Sequence, residues 1–245
     1  MDDKLQQIDT LLGELNQYRA NENYRITEAL EIEYTYDSNR IEGNTLTLHE
    51  TDMVVNKGIT IAGKGLREHL EAINHKEAID FIKDIAQKKE PISERVLLDI
   101  HAIVLHSIDK DNAGKYRRVP VIISGSKHIP PQPYLLQPKM DELFQWYEAN
   151  KDSMHPVILA APMHEKLVSI HPFIDGNGRT ARLLMNLILM QHGYPIANIK
   201  GDNETRRRYY ETLEEASSGD NSAFVEFIED VVIQSLTYYL KIIRG

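Results

Sequence analysis

The sequence predicts an all-α domain with one small β-hairpin set on its surface. Apolar residues recur at spacings of three and four along most of the 245 residues. Strand-like β-branched runs are confined to one short segment, and no alternation of strand and helix surrounds it. Residues 3–19 open the chain with Leu5, Ile8, Leu12 and Leu15 on one face. Residues 24–38 repeat the pattern less cleanly through Ile26, Leu30 and Tyr34. A long amphipathic helix spans 66–87, with Leu66, Leu70, Ile73, Ala78, Ile82 and Ile85. Ser93 is a good N-cap for a helix over 92–107, because its hydroxyl can accept from an otherwise unpaired backbone N–H. Further helices are expected at 138–150, 155–169, 177–192, 203–217 and 221–243. His192-Gly193-Tyr194-Pro195 supplies a stop signal for the third of these. The exception is 120–130, where β-branched residues 121–123 lead into Ser124-Gly125-Ser126 and then His128-Ile129, the pattern of a hairpin. The proline-rich stretch 130–138 then reads as an extended connector.

Composition narrows the function classes. There is no cysteine, which excludes disulfides, cysteine metal sites and a cysteine nucleophile. The 28 Lys+Arg stand against 37 Asp+Glu, a net charge of −9, so no nucleic-acid partner and no anionic membrane partner is expected. No apolar run reaches the ~18 residues a membrane helix needs. The charged start Met1-Asp2-Asp3-Lys4 does not read as a leader, and the expected location is cytoplasmic. The length suits one domain with an appended segment. Residues 1–45 are expected to form a helical arm, and 46–245 the core that carries the hairpin.

The chemistry concentrates in Ile170-His171-Pro172-Phe173-Ile174-Asp175-Gly176-Asn177-Gly178-Arg179-Thr180-Ala181-Arg182. One helix ends near His171 and another begins near Asn177. Glycines let backbone N–H groups approach a ligand closely, and a helix N-terminus offers unpaired donors to phosphate. Arg179 and Arg182 are three apart, so they share a helix face and can grip one polyphosphate chain. Asp175 can hold Mg²⁺ against those phosphates. His171 can take a proton from an attacking hydroxyl. Other motifs fit worse: Gly176 to Ala181 follows a helix rather than a strand, which argues against a dinucleotide fold. The position four after His164 is Val168, so the zinc-protease helix pattern fails.

This loop resembles the core of the Fic family of AMP transferases, H-x-F-x-[DE]-G-N-G-R-x-x-R. It matches every fixed position, through His171, Phe173, Asp175, Gly176, Asn177, Gly178, Arg179 and Arg182. The resemblance extends over about residues 35–240. It implies transfer of AMP from ATP to a Ser, Thr or Tyr hydroxyl of a target protein, with ATP and Mg²⁺ in the site. His171 would then be the general base, Phe173 the anchor of the loop and Asp175 the metal ligand. Asn177 and the backbone of Gly176 and Gly178 would hold the α- and β-phosphates. Arg179 would stabilise the leaving pyrophosphate and Arg182 would hold the γ-phosphate. Related phosphotransferring toxins carry Lys where Gly178 stands, so Gly178 favours room for a full triphosphate.

Ser38-Asn39-Arg40-Ile41-Glu42-Gly43-Asn44 resembles the family's inhibitory helix, [ST]-x-x-x-E-[GN], in the subgroup where it precedes the core. The resemblance implies that Glu42, with Ser38 opening the motif, pairs with Arg182 and blocks the γ-phosphate seat. Gly43 also reads as an ordinary C-cap, and the two readings are compatible. The hairpin at 120–130 falls where relatives carry a flap that takes the target as an added strand. Asn203, Tyr209 and Tyr210 are placed by the resemblance at the adenine pocket; beside them, Arg206-Arg207-Arg208 reads equally as a solvated face. His69, His75, His101, His106, His155, His164 and His192 share no ligand spacing and are read as structural or exposed. Self-modification and a homodimer accompany the resemblance as partner expectations. Two alternatives stay open. One is a hydrolase that removes AMP from modified protein at the same site. The other is a non-catalytic nucleotide-sensing or dimerising module, against which the intact His171, Asp175 and both arginines argue.

Overall fold

Ten α-helices make up the computed structural model, which describes residues 3–244. In chain order they are α1 Asp3–Gln17, α2 Tyr24–Ile41, α3 Leu48–Lys57, α4 Leu66–Lys88, α5 Glu94–Val104, α6 Leu136–Asn150, α7 Pro156–Ile170, α8 Asn177–Gln191, α9 Asn203–Ala216 and α10 Ser222–Arg244. Local chemistry sets several of the starts. Asn23, Ser93 and Asp202 each accept backbone N–H bonds as N-caps of α2, α5 and α9. Thr47 and Glu50 form a reciprocal capping box at α3. That helix was absent from the periodicity reading, because only Thr51 and Val54 of its ten residues are buried; the Thr-x-x-Glu spacing was its one signal.

The centre of the molecule is α8. Its side chains from Thr180 to Leu189 are buried on every side, so it has no amphipathic stripe. Helices α7, α4 and α5 pack around it, and α2 touches it at the end nearer its start, where Arg182 meets Ser38. The first segment shares this core: α1 lies along α10, and Ile8, Leu15, Tyr34 and Ile41 are buried with the apolar side chains of the later helices.

Helix α2 runs to Ile41, past the expected end at 38, and buries Glu31, Thr35, Asp37, Ser38 and Asn39. This polar burial blurs the period of its sequence. Its last turn is held by Asp37, which accepts from Gly201 N at 2.9 Å and Asn198 Nδ2 at 2.7 Å. A Cβ at Gly201 would stand 2.9 Å from both Arg40 Cβ and the Asp37 carbonyl oxygen, so only glycine lets α2 come this close.

The expected hairpin is corrected. Among the described residues there is no strand, and 116–132 forms bends and a turn instead. Ser126 N still bonds Ile123 O at 3.2 Å, so a turn is present, but no ladder flanks it. The ends of the segment are held by side chains, as shown below. It remains a projecting flap, with Val119, Ile122 and Ile129 exposed.

Candidate active site

The loop between α7 and α8 is shaped by its own sequence. His171 ends α7 in the left-handed region (φ 49°), and Gly176 (φ 78°) turns the chain into α8. Phe173 is fully buried beneath the turn. Asn177 clamps it: its Oδ1 accepts from Phe173 N at 3.0 Å and its Nδ2 donates to Phe173 O at 3.0 Å. The amide thus closes the loop, and the Asn177 backbone N–H stands at the helix start, where it has no intrahelical partner.

Asp175 stands beside this turn. Its Oδ1 accepts from Gly176 N at 2.6 Å and from Arg179 Nη2 at 3.3 Å, and its Oδ2 accepts from Arg67 Nη2. Burial alone would raise its pKa, but Arg179, the Gly176 amide and Arg67 together hold it below the ordinary value. Arg179 is buried, yet its Nε–H has no hydrogen-bond partner among the described residues, and its Nη1 reaches only Glu71 Oε1 at 3.5 Å. The guanidinium is flanked by the carboxylates of both Asp175 and Glu71.

Arg182 commits four of its five N–H donors. Its Nε donates to Ser38 Oγ at 3.0 Å, and its Nη2 donates to Ser38 O at 2.9 Å and Glu42 Oε1 at 2.7 Å. Its Nη1 donates to Tyr209 Oη at 3.3 Å. Tyr209 Oη in turn lies 3.2 Å from His164 Nε2. His164 is fully buried, and burial with the nearby Arg182 charge pushes its pKa well below the ordinary value. A neutral His164 accepts from the Tyr209 hydroxyl, which leaves the Tyr209 oxygen free to accept from Arg182.

The Glu42 carboxylate rests over the start of α8. A Cβ at Gly178 would lie 2.4 Å from Glu42 Oε1 and 3.0 Å from Arg182 Nη1. The space a side chain would take at Gly178 is therefore held by Glu42.

His171 lines the same open cleft of about 640 Å³ as Glu42, Gly178, Tyr210 and the flap residues Ser124 and Ser126. Burial lowers its pKa, and the Arg117 charge adds to this against the Val168 carbonyl, which raises it. The imidazole is thus neutral near pH 7 and able to accept a proton.

Of the remaining expected residues, Tyr210 lines the cleft and donates to Ile41 O at 3.2 Å. Tyr209 also lines the cleft, although nearly all of it is buried, and its hydroxyl supports the Arg182 guanidinium. Asn203 is exposed at the first turn of α9 and does not line the cleft. A larger hollow of about 800 Å³ lies elsewhere, and its Lys76 and Lys83 already pair with the buried Glu31.

Three residues of the loop's surroundings escaped the sequence reading. His101, read as structural or exposed, stacks on Phe173 with ring centroids 3.6 Å apart. Its Nδ1 accepts from Gly114 N and its Nε2 donates to the Asp175 carbonyl, both at 3.0 Å. Burial lowers its pKa to about 4. Arg67 bridges Asp175 and Glu71. Arg117 is buried and bonds the His171 carbonyl. The signal for Arg117 was slight: it is the first of two arginines before the flap, and Arg118 beside it is exposed.

Residues 91–189 match the Fic/DOC family, a span that includes the loop and α8 as far as Leu189. A fragment of Fic-1 from C. elegans superposes with a TM-score of 0.86 at 30% identity, over 98% of this chain and 73% of that one. The chain belongs to the Fic/DOC family. A second Fic/DOC structure, a Fic domain containing signaling protein from Bacteroides thetaiotaomicron, superposes at 0.85 and 29% identity, over 98% of this chain and 97% of that one. A curated relative, the protein adenylyltransferase Fic of Nematostella vectensis, is 39% identical over 210 residues, which is 85% of this chain and 48% of that protein. The chain therefore spans about half the length of that relative. Among the described residues no helix is long and apolar enough to cross a membrane.

Proposed function

We propose that this chain transfers AMP from ATP to a hydroxyl side chain of a protein, and that Glu42 holds the reaction in check. One observation carries the reading: a neutral His171 shares a cleft with Gly178 at the start of α8, where Glu42 closes on Arg182. In the reaction, the acceptor hydroxyl gives its proton to the His171 imidazole as its oxygen bonds the α-phosphorus. The bond from the α-phosphorus to the bridging oxygen breaks, and pyrophosphate leaves with the electron pair. The backbone N–H groups at the start of α8 and the Arg179 guanidinium meet the charge that develops there, which is where preorganised donors lower a barrier most.

Asp175 is the residue that would hold Mg²⁺. The fit rests on a part-exposed carboxylate whose Oδ2 is held by the exposed Arg67, a side chain that would have to swing away to admit the ion. Among the described residues no group of three or more acidic or histidine side chains gathers as a metal cage, which suits an ion held by one carboxylate and the nucleotide's own oxygens. When bound, Mg²⁺ would neutralise phosphate charge.

The Glu42–Arg182 pair occupies the guanidinium that a terminal phosphate would need. Incubating the wild-type protein and Glu42→Gly with ATP labelled at the α-phosphate tests this. Label should pass to protein, at least tenfold faster in Glu42→Gly, and not from γ-labelled ATP. Binding of ATP with no label transferred by either form would overturn the assignment of a transferase.

A further inference from the structure

Between the base and the flap lies a buried cation with no acidic partner among the described residues. Arg117 is 3% exposed, and its contacts are all to neutral backbone oxygens. Nε donates to His171 O at 2.8 Å, Nη1 to Val119 O at 3.0 Å and Nη2 to Pro131 O at 2.6 Å. Its own backbone N–H donates to Pro172 O at 2.9 Å. Burying a charge without a counter-charge is expensive, and burial accordingly lowers the Arg117 pKa. Arginine is suited to the post because its planar fork sends donors in divergent directions, which an ammonium on a flexible stem does not.

The acceptors tell what the post does. Val119 and Pro131 are the two ends of the flap. His171 and Pro172 are the peptide that carries the base, and His171 sits in left-handed backbone geometry, which for a non-glycine residue needs its surroundings to hold it. No strand pairing closes the flap, so this guanidinium performs the closure that a ladder would. At the other end, Glu214 on α9 accepts from Ser126 Oγ and from Lys127 N at 2.8 Å, which fixes the turn of the flap.

We propose that Arg117 is a positioning residue that sets the flap and the His171 backbone in one fixed register, so that an acceptor lying along the flap presents its hydroxyl to the imidazole. This rests on the transferase reading for its functional half and on geometry alone for its coupling half. An extended acceptor segment bonding to the flap inherits its position from residues 119–131. Because the same side chain grips both pieces, the distance from acceptor to base does not depend on flap motion. The nucleotide contacts of Arg179 and the α8 start do not pass through Arg117.

The test uses the full chain carrying Glu42→Gly, with a His171→Ala copy of the chain as the protein acceptor. Added to it, Arg117→Gln should cut the kcat/KM for that acceptor at least thirtyfold and leave the ATP dissociation constant within about twofold. Arg117→Lys, which keeps the charge but not the fork, should recover less than a tenth of the loss. Hydrogen exchange on the same variants reads the coupling directly: the hydrogen-bonded amides of Ser126, Lys127 and His128 and those of His171 and Phe173 should become exposed to exchange together. Exchange rising in one segment and not the other, an unchanged kcat/KM, or equal loss of ATP binding would overturn the proposal. If Glu42→Gly alone labels no acceptor, the transferase reading fails, and the exchange experiment still decides the coupling.

Discussion

Glu42 Oε1 accepts from Arg182 Nη2 at 2.7 Å, joining the last turn of α2 to the first turns of α8 across a sequence separation of 140 residues. The arginine side chain is 1% exposed and the glutamate 32%. Burial works against the Arg182 charge, and Glu42 together with the Tyr209 and Tyr34 hydroxyls more than offsets it. Removing the glutamate leaves a buried cation without its counter-charge. Glu42→Gly should therefore lower stability by about 1–3 kcal/mol in urea titrations without nucleotide. Ligand binding to the native state should restore it, by about 2.7 kcal/mol at a hundredfold excess of ATP over its Kd. The ATP-induced rise in Tm should be larger in Glu42→Gly than in wild type. Equal rises would mean that the pair and the nucleotide do not compete.

The acid side of the stability profile follows from three neutral histidines. His75 and His164 are fully buried with pKa values well below the ordinary one, and His101 lies at about 4. In each case burial is the main cause, with Arg182 or Arg179 nearby adding to it. Between the folded and unfolded values the unfolded chain binds more protons, so stability rises with pH there. It is complete above the unfolded value near 6.5 and is lost as pH falls below it. Each histidine then removes about 1.4 kcal/mol per pH unit. Guanidinium titrations at pH 7 and pH 5 should show the midpoint clearly lower at pH 5, and replacing His164 by Gln should shrink the difference.

The loop from 171 to 182 was legible because its chemistry is local: glycines, a helix start and two arginines on one face are all set by spacing. The Glu42–Arg182 contact was legible only through family resemblance, since nothing in the local pattern of 38–44 points 140 residues onward. The flap was misread as a hairpin because β-branched residues and a Ser-Gly-Ser turn describe an extended turn with or without a partner ladder. Arg117 and Glu214 hold it instead, and contacts of that kind are tertiary. The resemblance placed Tyr209 at the adenine pocket; its ring lines the cleft, while its hydroxyl is held between Arg182 and His164, tertiary partners that local spacing does not reveal. Helix α3 was missed because it buries too little for its period to show.

His101 ties three pieces of chain to one ring, and its contributions can be separated. His101→Phe keeps the stack on Phe173 but removes both hydrogen bonds. Gly114 N–H and the Asp175 carbonyl then lose their partner in a largely buried place, at about 1–3 kcal/mol for the unpaired amide. The expected loss by urea titration is in that range. His101→Ala should cost more, about 3–5 kcal/mol, because it adds a cavity under Phe173. Similar values for the two variants would show that the hydrogen bonds, and not the packing, dominate.

Gly178 and Glu42 compete for one volume, and a double-mutant cycle reads the competition. In wild type, a Cβ at Gly178 would sit 2.4 Å from Glu42 Oε1, so the carboxylate must swing off Arg182. The same Cβ favours the helix by about 1 kcal/mol over glycine. Gly178→Ala in the wild-type background should therefore be net destabilising, by about 1–2 kcal/mol, since it gives up most of the ion pair. In the Glu42→Gly background the clash is gone, and only the Arg182 Nη1 contact at 3.0 Å remains to be eased. There the same substitution should be neutral or stabilising by up to about 1 kcal/mol. The sign change is what distinguishes a carboxylate seated over the α8 start from one that merely neighbours it: equal effects in both backgrounds would place the Glu42 side chain elsewhere in solution.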